Sequence, residues 1–170
     1  MHYPMPSLLQ CHMLLVCAMV VLPAFAQEAK EPTKLQLKIE AAVQTNPDDT
    51  GRPSPVKVRV YELKDGNAFS EADYFSLNTN DKLVLGADLL AREEFILRPG
   101  ESKRIERKSH PQTTVLGILA GYRDLNNVWR LVHVLPEAPS AEWYRMLMPS
   151  KKADLTVQLQ PQGIVVVPAP

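Results

Sequence analysis

The chain has 170 residues, with 19 Lys or Arg against 19 Asp or Glu, so its formal net charge is zero. A neutral chain has no long-range field that attracts polyanions, and the composition therefore gives no support to a nucleic-acid-binding protein or to a polybasic membrane-binding protein. With 45% hydrophobic residues the chain can bury the core of one globular domain. Its 15 prolines against 7 glycines favour short extended segments over long helices.

The N-terminal segment has the features of an export signal. Residues 13–26 carry no charge and end in Ala24-Phe25-Ala26, the small-x-small pattern that precedes a signal-peptidase site. This run is shorter than the ~20 apolar residues that a membrane span needs. We therefore predict a signal peptide over residues 1–26 and a single domain over residues 27–170. An uncleaved N-terminal anchor is the alternative.

Both cysteines, Cys11 and Cys17, lie inside this segment, so the predicted domain contains no thiol or disulfide. An acylated cysteine needs a small residue directly before it, whereas Gln10 and Val16 precede these two. Because no good lipobox is present, the sequence favours release into the periplasm over lipid attachment.

Two strands separated by a polar loop are predicted at the start of the domain. Apolar and polar residues alternate from Leu35 to Val43, which predicts a strand with one face on the core. Val56 to Tyr61 predicts a second strand with its valines inward and with Lys57 and Arg59 outward. The connection, residues 45–55, is rich in turn-forming residues and is longer than a tight hairpin needs.

A short helical insertion is predicted after the second strand. Ser70 stands three residues before Asp73, in the pattern of a helix cap. The helix is predicted to turn three side chains inward: Tyr74, Phe75 and Leu77. A polar break follows at residues 78–82, and residues 88–93 are predicted to form a further helical turn.

The rest of the chain is predicted to form strands. Arg98-Pro99-Gly100-Glu101 is a turn signal, and the segments on either side of it are predicted to pair as a hairpin. Residues 114–122 are nearly all apolar and predict a central strand that is covered on both faces. Further strands are predicted at residues 128–135, 153–160 and 163–167. Seven or eight short strands with a short helical insertion indicate an all-β fold, a β-sandwich.

Motifs for catalysis or nucleotide binding are absent from the sequence. It contains no Gly-x-Ser-x-Gly elbow, Walker loop or His-Glu-x-x-His helix. His110 and His133 have no second ligand at metal-binding spacing. The basic run at residues 102–108 is predicted to be an edge strand that its charges protect against aggregation. We therefore predict a binding module without a cofactor, a metal or a small-molecule substrate.

Several motifs, in order, resemble the type VI secretion lipoprotein family (SciN/TssJ). The motifs are Gly51 to Leu63, Phe69 to Leu77, Leu85-Gly86-x-Asp88, Leu97 to Glu101, Ala120 to Asp124, and Trp129-Arg130. The likeness covers roughly residues 35–160. It implies a transthyretin-like β-sandwich without enzymatic activity, located in the periplasm at the outer membrane.

The resemblance also implies a partner. Members of the family look like anchors that bind the periplasmic C-terminal domain of the inner-membrane subunit TssM, largely through the loop between the first two strands. Here that loop contains seven candidate partner-binding residues: Asn46, Pro47, Asp48, Asp49, Thr50, Gly51 and Arg52. Arg52 is the expected anchor, because a guanidinium makes several directed hydrogen bonds. The alternative is that Gly51-Arg52-Pro53 only begins the second strand.

One other class of function is compatible with the predicted fold. A periplasmic adhesin or chaperone would bind sugar at Trp129 or Trp143, or would exchange a strand at residues 163–167.

Overall fold

The computed structural model describes residues 32–136 and 151–167. The predicted signal peptide, both cysteines and Trp143 lie outside the described residues. Eight strands are described: β1 Lys34–Ala41, β2 Val56–Leu63, β3 Leu89–Leu97, β4 Ser102–Lys108, β5 Val115–Gly121, β6 Arg130–Val134, β7 Lys152–Gln160 and β8 Gly163–Val167. Two α-helices, α1 Asn67–Glu71 and α2 Tyr74–Leu85, are followed by a 3₁₀ helix at Gly86–Asp88.

The strands form two four-stranded sheets that pack face to face. Sheet A has the order β4-β1-β7-β8, and sheet B has the order β3-β2-β5-β6. Strands β1 and β7 run parallel, and the other neighbouring strands run antiparallel. Alternate residues of each sheet fill the core between them, among them Leu37, Ile39, Val58, Val60, Ile118, Leu155 and Val157. The predicted all-β sandwich is confirmed, β4 is an edge strand as predicted, and β8 is the other edge of sheet A.

The helices cover the outer face of sheet B. Phe69 of α1 and Leu77 of α2 are fully buried against Tyr61 and the other outward side chains of β2 and β5. Strand β2 is therefore buried on both faces, and the prediction that Arg59 points into solvent is wrong, since Arg59 is only 8% exposed. Its buried guanidinium donates to two carbonyl oxygens of α2 and to a carboxylate of β3.

The helical segment differs from the prediction in its cap, in one side chain and in the position of the polar break. Asp73 is the cap of α2 and accepts from the Ser76 N–H at 3.0 Å, whereas Ser70 lies within α1. The prediction that Phe75 points inward is wrong: Phe75 is 65% exposed, because only one side of α2 faces sheet B. The predicted polar break at residues 78–82 lies inside α2, where Asn80 has non-helical backbone angles.

Two further local predictions are wrong because non-local pairing overrides them. Residues 94–97 and 102–107 do not form a hairpin: β3 pairs with β2, and β4 pairs with β1 in the other sheet. The turn between them bonds to the end of β1, where Ala41 N–H donates to the Glu101 carbonyl at 2.8 Å. Of the helical turn predicted at residues 88–93, only Asp88 is helical, at the end of the 3₁₀ helix; residues 89–93 are instead the first half of β3, which continues the pairing along β2.

Candidate functional site

Three connections meet at one end of the sandwich. The site loop (residues 42–55) joins β1 to β2, and it lies beside the β5–β6 loop and the β7–β8 turn. Together they line an open cleft that includes Asn46, Pro47, Asp48, Arg123, Asn127 and Gln162. The first three were predicted from the sequence, and the last three were not.

The base of the site loop is buried and is fixed by Asn46, which is 4% exposed. Its backbone has a φ of 46°, a left-handed conformation that Asn adopts more readily than most residues. Its Nδ2 donates to the Pro55 carbonyl at 2.9 Å, and its Oδ1 accepts from the Arg123 N–H at 2.8 Å. One side chain therefore closes the loop and joins it to the β5–β6 loop.

Tyr122 lies beneath the base of the loop. Burial raises the pKa of its phenol, and the neighbouring Thr45 hydroxyl opposes that shift. Thr45 is itself fully buried, and its carbonyl accepts from the Ser54 N–H at 3.2 Å. The two ends of the loop are thus held together above a packed aromatic ring.

The carboxylate of Asp48 orders the outer part of the loop. Its Oδ1 accepts from the Thr50 N–H at 2.9 Å, the Thr50 hydroxyl at 2.7 Å and the Arg52 N–H at 2.9 Å. Its Oδ2 accepts from Nε of Arg52 at 2.9 Å. Hydrogen bonds from Thr50, then from Arg52, lower the pKa of Asp48 to about 2. Because these donors favour the ionised carboxylate, Asp48 is charged at neutral pH and its bonds order the outer part of the loop.

The crown of the loop, which we define as Asp49–Arg52, is exposed. Gly51 has a φ of 78°, a conformation that strains other residues, and it allows the turn back towards β2. The Arg52 side chain is 78% exposed although its Nε is bonded to Asp48. Its terminal nitrogens are therefore held in a fixed direction and are open to a partner.

The walls of the cleft depend on a contact that sequence reasoning missed. Val128 N–H donates to the Gln162 carbonyl at 3.4 Å, and Ile164 N–H donates to the Val128 carbonyl at 2.8 Å. Gly163 makes this approach possible, since a Cβ there would lie 2.6 Å from the Val128 nitrogen. The contact fixes the β7–β8 turn to the β5–β6 loop. No local pattern in the sequence connects positions so far apart.

Trp129 and its neighbour Arg130 contact the helical layer of the fold. Trp129, one predicted sugar platform, packs edge-on against Tyr74 with ring centres 5.5 Å apart. The Arg130 guanidinium lies 4.6 Å from the centre of the Trp129 ring and donates to two carbonyls at the end of α1. Within residues 32–136 and 151–167, no group of three or more potential ligands is placed to hold a metal ion.

The fold and the site define a class of protein: a two-sheet β-sandwich with a helical layer on one sheet and an ordered polar loop at one end. Residues 33–162 match the family T6SS-SciN, described as type VI secretion lipoprotein, VasD, EvfM, TssJ, VC_A0113. The chain belongs to this family. Among curated proteins, none matches it.

Solved structures show the same relationship. The crystal structure of the type VI secretion lipoprotein TssJ1 from Pseudomonas aeruginosa is 41% identical, with a TM-score of 0.69; the match covers 82% of this chain and 99% of that one. Serratia marcescens Lip, described as a membrane-bound component of the type VI secretion system, is 29% identical, with a TM-score of 0.73 and coverage of 81% and 99%. A chain of a structure described as a type VI membrane complex is 26% identical, with a TM-score of 0.65 and coverage of 81% and 100%.

Membership of a secretion lipoprotein family implies a periplasmic, membrane-associated location. Among the described residues, no helix has the length and apolar character that crossing a membrane requires.

Proposed function

We propose that this chain is a structural subunit of the type VI secretion membrane complex and that it binds the periplasmic C-terminal domain of the inner-membrane subunit TssM. The proposed contact surface is the site loop, with Arg52 as its anchor and the outer membrane as its location. The role is structural and requires no catalysis, cofactor or small-molecule substrate. The likeness to a chain of a type VI membrane complex supports assembly into such a complex.

The observation that carries the proposal is an exposed crown that is already ordered. Binding costs conformational entropy when a loop must first be fixed. The bonds from Thr50 and Arg52 to Asp48 already fix much of this loop in the free protein, so less entropy is lost on binding. Three prolines, Pro47, Pro53 and Pro55, restrict the loop further. A protein partner therefore meets a rigid polar surface instead of a flexible one.

Arg52 has the properties of an interface anchor. Its terminal guanidinium nitrogens can donate several hydrogen bonds in one plane, and Asp48 fixes their direction from behind. Arginine is enriched among the residues that contribute most to binding free energy at protein interfaces. The neighbouring cleft, with Asn127 and Gln162 on its far wall, offers the partner further polar groups.

The test is calorimetric titration of the full chain with the purified periplasmic C-terminal domain of TssM from the same organism. We expect saturable binding, and we expect Arg52→Ala to weaken it by about 30-fold or more, the range of an interface hot spot. Arg104→Ala is the matched control, because Arg104 is also an exposed arginine with one acidic neighbour but lies on the outer face of sheet A. This variant should bind like the wild type.

Two outcomes would overturn the proposal at different levels. Absence of binding by a folded wild-type chain would remove TssM as the partner. Wild-type affinity in a variant that carries both Asp49→Ala and Arg52→Ala would keep the partner but place the contact elsewhere.

A further inference from the structure

A row of three lysines crosses one end of the outer face of sheet A. Lys34, at the start of β1, is paired with Lys108 of β4 on one side and with Lys152 of β7 on the other. Side chains paired across neighbouring strands point to the same face, and across the antiparallel pair of β1 and β4 their Cβ atoms lie about 4.5–5.5 Å apart. All three are exposed. We call these three residues the lysine row.

The lysine row does not help the sheet to fold. Like charges directly opposite each other on neighbouring strands are destabilising. Lys152 forms an ion pair with Asp154 at 3.0 Å, but Lys34 and Lys108 form none within the described residues. An unfavourable arrangement of positive charge on a neutral chain indicates a role other than stability.

Farther along this face, the cations have acidic partners: Lys38 pairs with Glu40, and Arg104 pairs with Glu106. The next row along the same face contains Glu106 and Asp154 on either side of Gln36. The outer face of sheet A is therefore not a generally basic surface. Among the described residues of this face, the cations that form no ion pair, Lys34 and Lys108, lie at the extreme end, where β1 begins.

The lysine row also marks the point at which the N-terminal segment joins the sandwich. Residues 1–31, with the uncharged run at 13–26, lead directly through Pro32 and Thr33 into Lys34. The site loop leaves from the other end of β1, and the eight residues of that strand span about 26 Å. Any attachment to a membrane through the N-terminal segment brings the lysine row, and not the site loop, towards the bilayer.

We propose that the lysine row binds the phosphate groups of anionic phospholipids. The sandwich then stands with this end on the bilayer and with the site loop directed away from it. Positive charge at the start of β1 complements an anionic surface, and the family's membrane-associated location supplies that surface. This inference does not depend on the identity of the partner at the site loop.

The test compares lipid binding by two double variants of the full chain. Vesicles of phosphatidylcholine alone, and vesicles that also contain phosphatidylglycerol, are titrated against each protein at low salt, and the bound fraction is measured by flotation. The N-terminal segment contributes equally in every variant, so the gain in affinity on adding phosphatidylglycerol isolates the charge effect. Each lysine near an anionic surface contributes about fivefold, so Lys34→Gln with Lys108→Gln should reduce that gain about 25-fold.

The matched control is Lys38→Gln with Arg104→Gln. These residues are paired across the same two strands, on the same face, but nearer the site-loop end. The control variant should keep most of the gain in affinity that phosphatidylglycerol gives the wild type. Equal losses in the two double variants would show an effect of net charge alone and would overturn the proposal, as would no loss in either.

Two further measurements distinguish lipid binding from unfolding and from the binding of a small anion. The Lys34→Gln, Lys108→Gln variant should unfold at the same temperature as the wild type or higher, because it removes a like-charge contact, so a loss of lipid binding cannot be attributed to unfolding. It should also keep wild-type binding to the TssM domain. Release of the wild type from vesicles by inorganic phosphate, but not by chloride at equal ionic strength, would identify a small-anion site and would overturn the assignment to a bilayer surface.

Discussion

Asn46 and Arg123 are 77 positions apart in the chain and are joined by a hydrogen bond of 2.8 Å from the Arg123 N–H to Oδ1 of Asn46. The same side chain donates to the Pro55 carbonyl on the opposite side of the site loop. Through Asn46, the position of the exposed crown depends on the β5–β6 loop. The base of the loop is thus part of the fold, and the crown is the part that is open to a partner.

Substitution of Asn46 should therefore reduce stability. Asn46→Gly keeps the left-handed backbone but loses both hydrogen bonds, and we expect it to lower the free energy of unfolding by about 2 kcal/mol. Asn46→Ala adds backbone strain of about 1 kcal/mol to that loss. Urea denaturation measures both values. Equal stability of the two variants would show that the backbone conformation at this position is not strained.

The fold could be predicted from the sequence where a strand has one face in water. Strands β1 and β7 show a clean alternation of apolar and polar residues, and both have the predicted boundaries to within about two residues. The same rule failed for β2, since Arg59 alternates with valines but is covered by α2. Alternation indicates two faces but does not show what covers each one.

The site could be predicted only in part, for a related reason. The composition of residues 45–55 shows an unusually long polar loop, and the family resemblance indicates a role for residues 46–52. Neither indicates that Asn46 is buried, or that Arg123 and Gln162 lie across the cleft. These contacts arise from the pairing of distant strands, as does the failure of the predicted hairpin around Pro99-Gly100.

The order of the crown should persist at low pH. The pKa of Asp48 is about 2 in the folded chain, below the ~3.9 of an unperturbed Asp. The contribution of Asp48 to loop order is therefore fully present above about pH 4 and is lost as the pH falls through about 2. In an NMR titration, the amide signals of Thr50 and Arg52 should shift with a midpoint near pH 2. A midpoint near pH 4 would contradict the bonding that we describe.

Gly163 should tolerate substitution less well than Gly51. Both have positive φ, but a Cβ at Gly163 would lie 2.6 Å from the Val128 nitrogen, whereas a Cβ at Gly51 would meet nothing within 4 Å. We expect Gly51→Ala to cost about 1 kcal/mol, from backbone strain alone. Gly163→Ala must also separate the β7–β8 turn from the β5–β6 loop, and we expect it to cost about 3 kcal/mol or more. If chemical denaturation gives the two variants similar losses in the free energy of unfolding, Val128 can move away from residue 163 without loss of stability.

The helical layer should depend on Arg59 more than on any exposed charge near it. Arg59 donates to the Leu77 carbonyl at 3.0 Å and to the Asn78 carbonyl at 2.9 Å, just before α2 kinks, and it also pairs with Glu94. Arg59→Met preserves much of the side-chain volume but leaves these acceptors without their donor. We expect a loss of about 3 kcal/mol in the free energy of unfolding, as for the removal of one partner of a buried ion pair.

The control for that prediction is Arg92→Met. Arg92 donates to Asp81, a buried carboxylate on α2 that lies 3.7 Å from Arg59. Burial alone would raise the pKa of Asp81, but hydrogen bonds from Arg92 and Tyr61 outweigh burial and hold that pKa below its usual value. The Arg92 side chain is 35% exposed, against 10% for Arg59, and it bonds to no backbone carbonyl of α2. Its removal should cost less, about 1 kcal/mol, because Arg92 is itself partly solvated and the buried Asp81 keeps the hydrogen bond from Tyr61 and the charge of Arg59 at 3.7 Å. If urea denaturation gives the two variants equal stability, the carbonyl bonds of Arg59 do not hold α2 on the sheet, and packing of Leu77 and Leu85 alone must do so.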